Sequence, residues 1–143
     1  MLGLADFEGQ WRLERQIADA LGPDAVFTGT ARFSPDGAGL LLEEAGRLEL
    51  TGQGGFQAER RYLWRQQGAG IDVLFADGRD FHSFDPANGV AMADHWCDPD
   101  TYRVRYDFTD WPVWHAEWRV TGPRKDYVMR SIYAPRSGVN PAG

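Results

Sequence analysis

The stretch FEGQWRLERQI, from Phe7 to Ile17, alternates apolar and polar side chains with a period of two. That period is typical of a β-strand with one buried face and one face in water. Two residues on the apolar face are unusual. Gly9 allows a close backbone approach beside Trp11, and Arg15 places a charge among apolar neighbours. The apolar face as a whole carries Phe7, Gly9, Trp11, Leu13, Arg15 and Ile17.

Turn sequences divide the rest of the chain into short segments with similar alternation. Ser34-Pro35-Asp36-Gly37 has the composition of a β-turn, and Asp77-Gly78 is the strongest hairpin signal. Many short strands joined by tight turns favour an up-and-down meander. The sequence therefore predicts an all-β fold: an antiparallel meander barrel of about ten strands with no substantial helix. We expect the first strand to pair with the last and so remove the exposed edges of the sheet.

The length of the chain sets its domain organisation. A chain of 143 residues is long enough to bury one core without help from metals or disulfides. We expect a single barrel domain over residues 1–136 and a loose C-terminal tail over residues 137–143. Within that domain, the segment from Met1 to Asp6 would form one turn that plugs an end of the barrel.

Charge and composition argue against several classes of partner. The net charge of -6 and the scattered basic residues disfavour nucleic acid or an anionic membrane. Cys97 is the sole cysteine, so no internal disulfide and no oxidising compartment is indicated. The first residues do not form a signal-peptide pattern, and no segment approaches the roughly 20 apolar residues of a membrane span. We expect a cytoplasmic protein whose partner is a small-molecule ligand.

The Gly9-x-Trp11 pattern in the first strand, together with a basic residue near the end of the last strand, resembles the calycin superfamily of lipocalins, fatty-acid-binding proteins and nitrobindin-like barrels. The resemblance implies that the basic side chain packs across Trp11. Arg136 is the leading candidate, ahead of Arg130 and Arg124. The segments 122–127 and 77–82 resemble those of an uncharacterised bacterial calycin-like family. We expect neither the signal peptide and disulfides of lipocalins nor the two-helix lid of fatty-acid-binding proteins, so neither group supplies the ligand class.

Three charged residues fall on the apolar faces of their strands: Arg15, Glu44 and Arg60. A lone buried charge is costly, so each needs a partner or access to water. Glu44 and Arg60 lie on consecutive strands and would pair, which would leave Arg15 free for an acidic ligand group. Arg60-x-Tyr62 also resembles the Arg-x-Tyr pair that holds carboxylates in fatty-acid-binding proteins, and guanidinium and phenol donors suit such a group. The alternative is an internal ion pair that only stabilises the fold.

Two histidines form a second candidate site. Counted from the Asn88-Gly89 turn, His82 and His95 would be near neighbours on adjacent antiparallel strands. With Asp94 they would serve as general acid and base, and with Cys97 they would bind a metal ion or haem. The alternative is a hydrogen-bonded histidine pair in the barrel wall.

The aromatic residues are the third candidate group, and their leading members are Trp114 and Trp118. They would either fill a core or line a cavity. A ten-stranded barrel is wider than the roughly eight strands whose interior side chains just fill it, which favours a cavity. We therefore predict a binding barrel for a mostly apolar ligand with an acidic or polar head, with a barrel enzyme, haem or metal binding and a packed interaction module as alternatives. The predicted ligand-binding residues are Arg15, Glu44, Arg60, Tyr62, His82, His95, Trp114 and Trp118.

Overall fold

The computed structural model describes residues 2–136, which form one sheet of ten antiparallel strands. The predicted tail over residues 137–143 lies outside the described residues. The strands are β1 (Gly9–Asp19), β2 (Ala25–Asp36), β3 (Gly39–Leu50), β4 (Gly54–Gln67), β5 (Gly70–Phe75), β6 (Asp80–Phe84), β7 (Val90–Cys97), β8 (Asp100–Asp107), β9 (Trp114–Gly122) and β10 (Lys125–Pro135). Short 3-10 turns occupy Leu4–Phe7 and Pro86–Asn88, and no helix in the described residues has the length and apolar character needed to cross a membrane.

The strands follow one another around the barrel in the order β6-β5-β4-β3-β2-β1-β10-β9-β8-β7. The all-β meander predicted from the sequence is confirmed, and β1 pairs with β10 from Trp11↔Pro135 to Asp19↔Tyr127. The expectation that this pairing removes every edge was wrong. Within residues 2–136 no backbone ladder joins β6 to β7, so the barrel is nearly closed and has one seam. Side chains span that seam, where the rings of Phe81 and His95 lie 5.2 Å apart.

One end of the barrel, which we call the packed end, is closed by the N-terminal 3-10 turn. Phe7 belongs to this turn and not to β1, and it is fully buried. The chain then enters β1 at Gly9, whose φ of 129° favours glycine. The Trp11 indole donates a hydrogen bond of 2.9 Å to the Phe7 carbonyl oxygen, which fixes the turn over the strand. The rings around Phe7 are those of Phe33, Trp64, Phe108, Trp111 and Trp114.

The predicted packing of Arg136 across Trp11 was wrong. Arg136 is exposed, and its guanidinium donates a 2.6 Å hydrogen bond to the Gln10 side chain on the outer face of β1. Trp11 is covered from inside instead, by the rings of Trp111 and Trp114 at 5.4 and 6.0 Å. An indole that is already enclosed by aromatic rings needs no basic cover.

Candidate functional site

The opposite, open end of the barrel contains a cavity of about 510 Å³. Its floor includes the buried indoles of Trp64 and Trp114, and its rim includes the exposed side chains of Arg60 and Trp96. The cavity brings together all eight of the residues that the sequence predicts as ligand-binding: Arg15, Glu44, Arg60, Tyr62, His82, His95, Trp114 and Trp118.

A buried ion pair lies at the cavity wall. The Arg15 guanidinium donates to both carboxylate oxygens of Glu44, at 3.1 and 3.4 Å, and also to the Ser131 hydroxyl at 2.7 Å. The Tyr133 hydroxyl donates to Glu44 at 2.7 Å. Arg15 and Glu44 are only 6% and 4% exposed, so this network replaces the water that both charges have lost.

The predicted pairing of Glu44 with Arg60 was wrong, although the register does place the two directly opposite each other on β3 and β4. Arg15 reaches Glu44 across β2, where the paired inward positions Gly29 and Gly46 have no side chains. A Cβ atom on Gly29 would collide with the Ala45 carbonyl oxygen, so the two backbones approach more closely than larger residues allow. The Phe27 ring lies against Gly46, and the Arg15 guanidinium lies over that ring at 5.7 Å from its centroid.

The ion pair stays charged over a wide pH range. Burial by itself would raise the pKa of Glu44, but the Arg15 guanidinium and the Tyr133 hydroxyl hold it below its usual value. Burial opposes the charge of Arg15 in the same way, and Glu44 nevertheless raises the pKa of Arg15 above its ordinary value. Burial and the neighbouring carboxylate raise the pKa of Tyr133, so its hydroxyl remains a donor.

Arg60 is therefore the free cation of the site. It lies at the rim, is exposed, and within residues 2–136 forms no salt bridge or side-chain hydrogen bond. The charged residues of the lining are Arg15, Arg60 and Arg79 against Glu44 and Asp80, which leaves one positive charge in excess. Since Arg15 and Glu44 neutralise each other, Arg60 is available to an anionic group from outside the protein.

His82 is a neutral hydrogen-bonding group in the wall. Burial and the neighbouring His95 lower the pKa of His82 to about 3. Its Nε2 atom lies 2.8 Å from the Tyr106 hydroxyl, and burial keeps the pKa of Tyr106 well above 10. The tautomer of His82 determines which of the two groups donates this hydrogen bond. The Nδ1 atom of His82 has no hydrogen-bond partner within residues 2–136.

A β-bulge in β6 brings an additional ring into the cavity. The register with β5 runs from Val73↔His82 to Leu74↔Asp80, so Phe81 has no partner of its own. Strict alternation would direct Phe81 and His82 to opposite faces. Both are buried instead, and both line the cavity.

Phe81 is the centre of a group that we call the aligned rings: Tyr62, Phe75, Phe81 and Trp118. Their planes are nearly parallel to that of Phe81, at 24° for Tyr62, 20° for Phe75 and 12° for Trp118. The corresponding centroid distances are 5.8, 4.5 and 5.1 Å, in the range of stacked aromatic pairs. These rings come from β4, β5, β6 and β9, and each of the other three stacks on Phe81, while Tyr62 and Phe75 are tilted by 43° to each other.

The comparisons with known proteins agree with this architecture. A family model covers residues 7–135, from the N-terminal turn to the last residue of β10, and it describes DUF6314, a family of unknown function. The chain belongs to the DUF6314 family. No curated protein sequence matches it significantly. Its family membership thus defines a group of related sequences without defining an activity.

This DUF6314 chain is similar in structure to the S-type phycobiliprotein lyase CPES from Guillardia theta. The TM-score is 0.59 at 9% sequence identity, and the alignment covers 91% of this chain and 87% of that chain. At this identity the similarity concerns the fold alone. This neighbour has the calycin-like fold, which supports the part of the resemblance at Gly9-x-Trp11 that concerns the barrel.

The histidines of the DUF6314 chain are arranged differently from the prediction. His82 and His95 lie on β6 and β7, which face each other across the seam and are not hydrogen-bonded neighbours. Asp94 points to the outer surface, where it is exposed and 3.7 Å from Arg103. The acid–base triplet of His82, His95 and Asp94 is therefore wrong, because its carboxylate lies outside the barrel.

The remaining predicted residues take several roles. Trp114 is 1% exposed and stacks on Tyr133 at 3.8 Å, so it belongs mainly to the core under the cavity. His95 is half-buried and contacts the edge of the Phe75 ring at 5.8 Å. Cys97 is exposed at the rim. Within residues 2–136 no group of three or more His, Cys, Asp or Glu side chains is placed to hold a metal ion.

Sequence reasoning missed Phe81 and Phe75 as site residues. Phe81 follows Asp77-Gly78 by three positions, and a bulge beside a tight turn leaves no mark in an alternation pattern. For the Arg15–Glu44 pair the sequence carries no signal either, since Gly29 and Gly46, at inward positions of consecutive strands, indicate only that the two backbones approach closely.

Proposed function

We propose that this protein binds a small, mostly apolar molecule with an acidic head group inside its barrel. The observation that carries the proposal is the cavity of about 510 Å³, which lies within the range of roughly 300–1,000 Å³ found for ligand pockets. Its lining is dominated by aromatic rings with a few polar groups, the composition typical of small-molecule sites. The similar barrel of CPES is named a phycobiliprotein lyase, which is consistent with a ligand-handling role for the fold.

The acidic head is assigned to Arg60. Arg15, the residue that the sequence favoured, already has Glu44 as its counter-charge. Arg60 has no such partner in the described residues and lies two positions from Tyr62 on the same face of β4. A carboxylate at the rim would pair with the guanidinium while the apolar body of the ligand occupies the aromatic interior.

The test begins with native mass spectrometry of the purified protein to detect a ligand that co-purifies. Calorimetric titration with a panel of fatty acids, aromatic acids and haem then gives affinities. Arg60→Ala should weaken acid binding by at least about tenfold, because a charge-assisted hydrogen bond is lost. The matched control is Arg61→Ala, on the same strand but on the outer face opposite Glu43, which should leave the affinity unchanged.

Two outcomes would contradict the proposal. If no ligand co-purifies and no member of the panel binds, the barrel is not a carrier of such molecules. If the acids bind equally to the parent and to Arg60→Ala, the head-group assignment fails. Haem uptake with an absorption band that disappears in His95→Ala would support the haem alternative.

We further propose that the protein acts in the cytoplasm. Its single cysteine, Cys97, is exposed and unpaired, as is common where thiols are kept reduced. Localisation of a tagged protein by fractionation tests this proposal, and recovery from a secreted or periplasmic fraction would overturn it.

A further inference from the structure

The composition of the cavity wall carries information about the shape of the ligand. Among the lining residues, eleven are Phe, Tyr or Trp, whereas the aliphatic ones are four: Leu42, Val73, Ala116 and Met129. A flexible alkyl chain would be equally well served by leucine and valine, which bury comparable apolar area per atom. The excess of rings therefore indicates that the ligand uses a property of aromatic side chains that aliphatic side chains lack.

That property is orientation. Aromatic rings attract one another most strongly in defined offset-stacked or edge-to-face geometries, because each ring has a negative face and a positive edge. The aligned rings present planes within 12–24° of the Phe81 plane on the cavity wall. A flat ligand in that orientation would stack on these rings, whereas an alkyl chain gains nothing from the alignment.

Three of the aligned rings are accessible from the cavity. Tyr62, Phe75 and Trp118 are half-buried, whereas the rings of the packed end, such as Phe7 and Trp11, are enclosed. Half-buried rings on a concave wall retain surface for a further stacking partner. The unused area thus lies on the three rings that stack on Phe81.

The charge of the site lies close to these rings. Arg60 and Tyr62 point the same way from β4 and are separated by two residues, or about 7 Å along a strand. A carboxylate attached directly to a ring system, or through a short linker, spans this distance. A fatty acid also reaches Arg60, so the ring system is the feature that distinguishes the two ligand classes.

We propose that the cavity is selective for a flat aromatic or conjugated carboxylic acid, which stacks on the aligned rings and pairs with Arg60. This inference rests on the proposed function and adds the ligand class to it. The ring system stacks on the cavity-facing surfaces of Tyr62, Phe75 and Trp118 that Phe81 leaves uncovered, and the carboxylate remains at the rim.

The test compares two acids with the same number of carbon atoms, naphthoate and undecanoate, by isothermal titration calorimetry. The parent protein should bind naphthoate about tenfold more tightly, because stacking on two or more rings adds to the area that both acids bury. Naphthylmethanol, which keeps the ring system and loses the charge, should bind more weakly than naphthoate, and Arg60→Ala should remove that difference.

The decisive variant is Trp118→Leu, which keeps an apolar side chain and removes one aligned ring. It should weaken naphthoate binding about fivefold and leave undecanoate binding within about twofold. The control is Phe56→Leu, at an exposed ring on β4 that does not line the cavity. Thermal melting of both variants establishes that they are folded before affinities are compared.

Each result has a defined meaning. Equal or tighter binding of undecanoate overturns the selectivity and leaves the binding function intact, and so does a Trp118→Leu variant that weakens both acids equally. An aliphatic co-purified ligand also overturns this inference alone. If the whole panel fails to bind and nothing co-purifies, both this inference and the proposed function are wrong.

Discussion

The two ends of the barrel use the same kinds of aromatic residue in different ways. At the packed end, Phe7 is fully buried and its ring meets those of Trp64 and Trp114 at 5.2 and 5.4 Å. At the open end, Tyr62 and Trp118 are half-buried around a cavity. The packed end has a 3-10 turn that fills the barrel mouth, and the open end has none among the described residues. Aromatic residues thus form core at the end that the turn fills and line a cavity at the end where the described residues place no such turn.

The largest loss of stability is expected from a substitution in the 3-10 turn Leu4–Phe7, which closes the packed end. Phe7→Ala should lower the free energy of unfolding by about 4 kcal/mol, because it removes a fully enclosed ring and leaves a cavity. Phe75→Ala at the open end should cost about 2 kcal/mol, since that ring is half-buried and borders a cavity already. Urea denaturation measures both values. Equal losses at the two ends would contradict the difference that we describe.

A smaller loss of stability is expected at the buried Arg15–Glu44 pair, which lies between the two ends of the barrel. Glu44→Gln should lower the free energy of unfolding by about 3 kcal/mol, because it leaves the Arg15 charge buried without a counter-charge. The control Glu43→Gln, in a surface pair with Arg61, should cost less than about 1 kcal/mol. Since folding lowers the pKa of Glu44, its stabilisation is full above its unfolded pKa of about 4.3 and is lost as the pH falls through the folded value. A Glu44→Gln variant as stable as the control would show that the pair does not hold this wall.

The smallest effect concerns His82 and depends on pH. Its folded pKa of about 3 lies below the unfolded value, so the unfolded chain binds the proton first and stability falls on acidification. Between about pH 6.5 and pH 5, the contribution of His82 lowers the free energy of unfolding by about 2 kcal/mol. His82→Gln should lack this component, whereas His115→Gln on the outer face of β9 should retain it. Urea melts at several pH values provide the measurement, and identical pH profiles for the parent and His82→Gln would contradict the buried neutral imidazole.

Much of the fold follows from local pattern. Alternation in β1 placed Trp11, Leu13 and Arg15 on the inner face, and all three are buried. Turn chemistry then predicted the meander, because a tight turn places two consecutive strands side by side. The strand register even placed Glu44 opposite Arg60, as the structure has it.

The parts that escaped prediction depend on distances across strands. The partner of Glu44 is Arg15, two strands away, because the long Arg15 side chain reaches across β2 on the inner face of the barrel. The bulge at Phe81 shifts a strand by one residue and so reverses the face of one side chain. Neither the Arg15–Glu44 pairing nor the bulge changes the local pattern of apolar and polar residues. Alternation alone therefore cannot predict either feature.

At the seam between β6 and β7, the barrel wall is held together without a backbone ladder. At every other place around the wall, spreading two strands breaks a row of backbone hydrogen bonds. At the seam it separates only side-chain contacts such as Phe81 with His95, each of which is individually weak. The girth of the barrel can therefore adjust at one line while the remaining nine strand pairings stay intact.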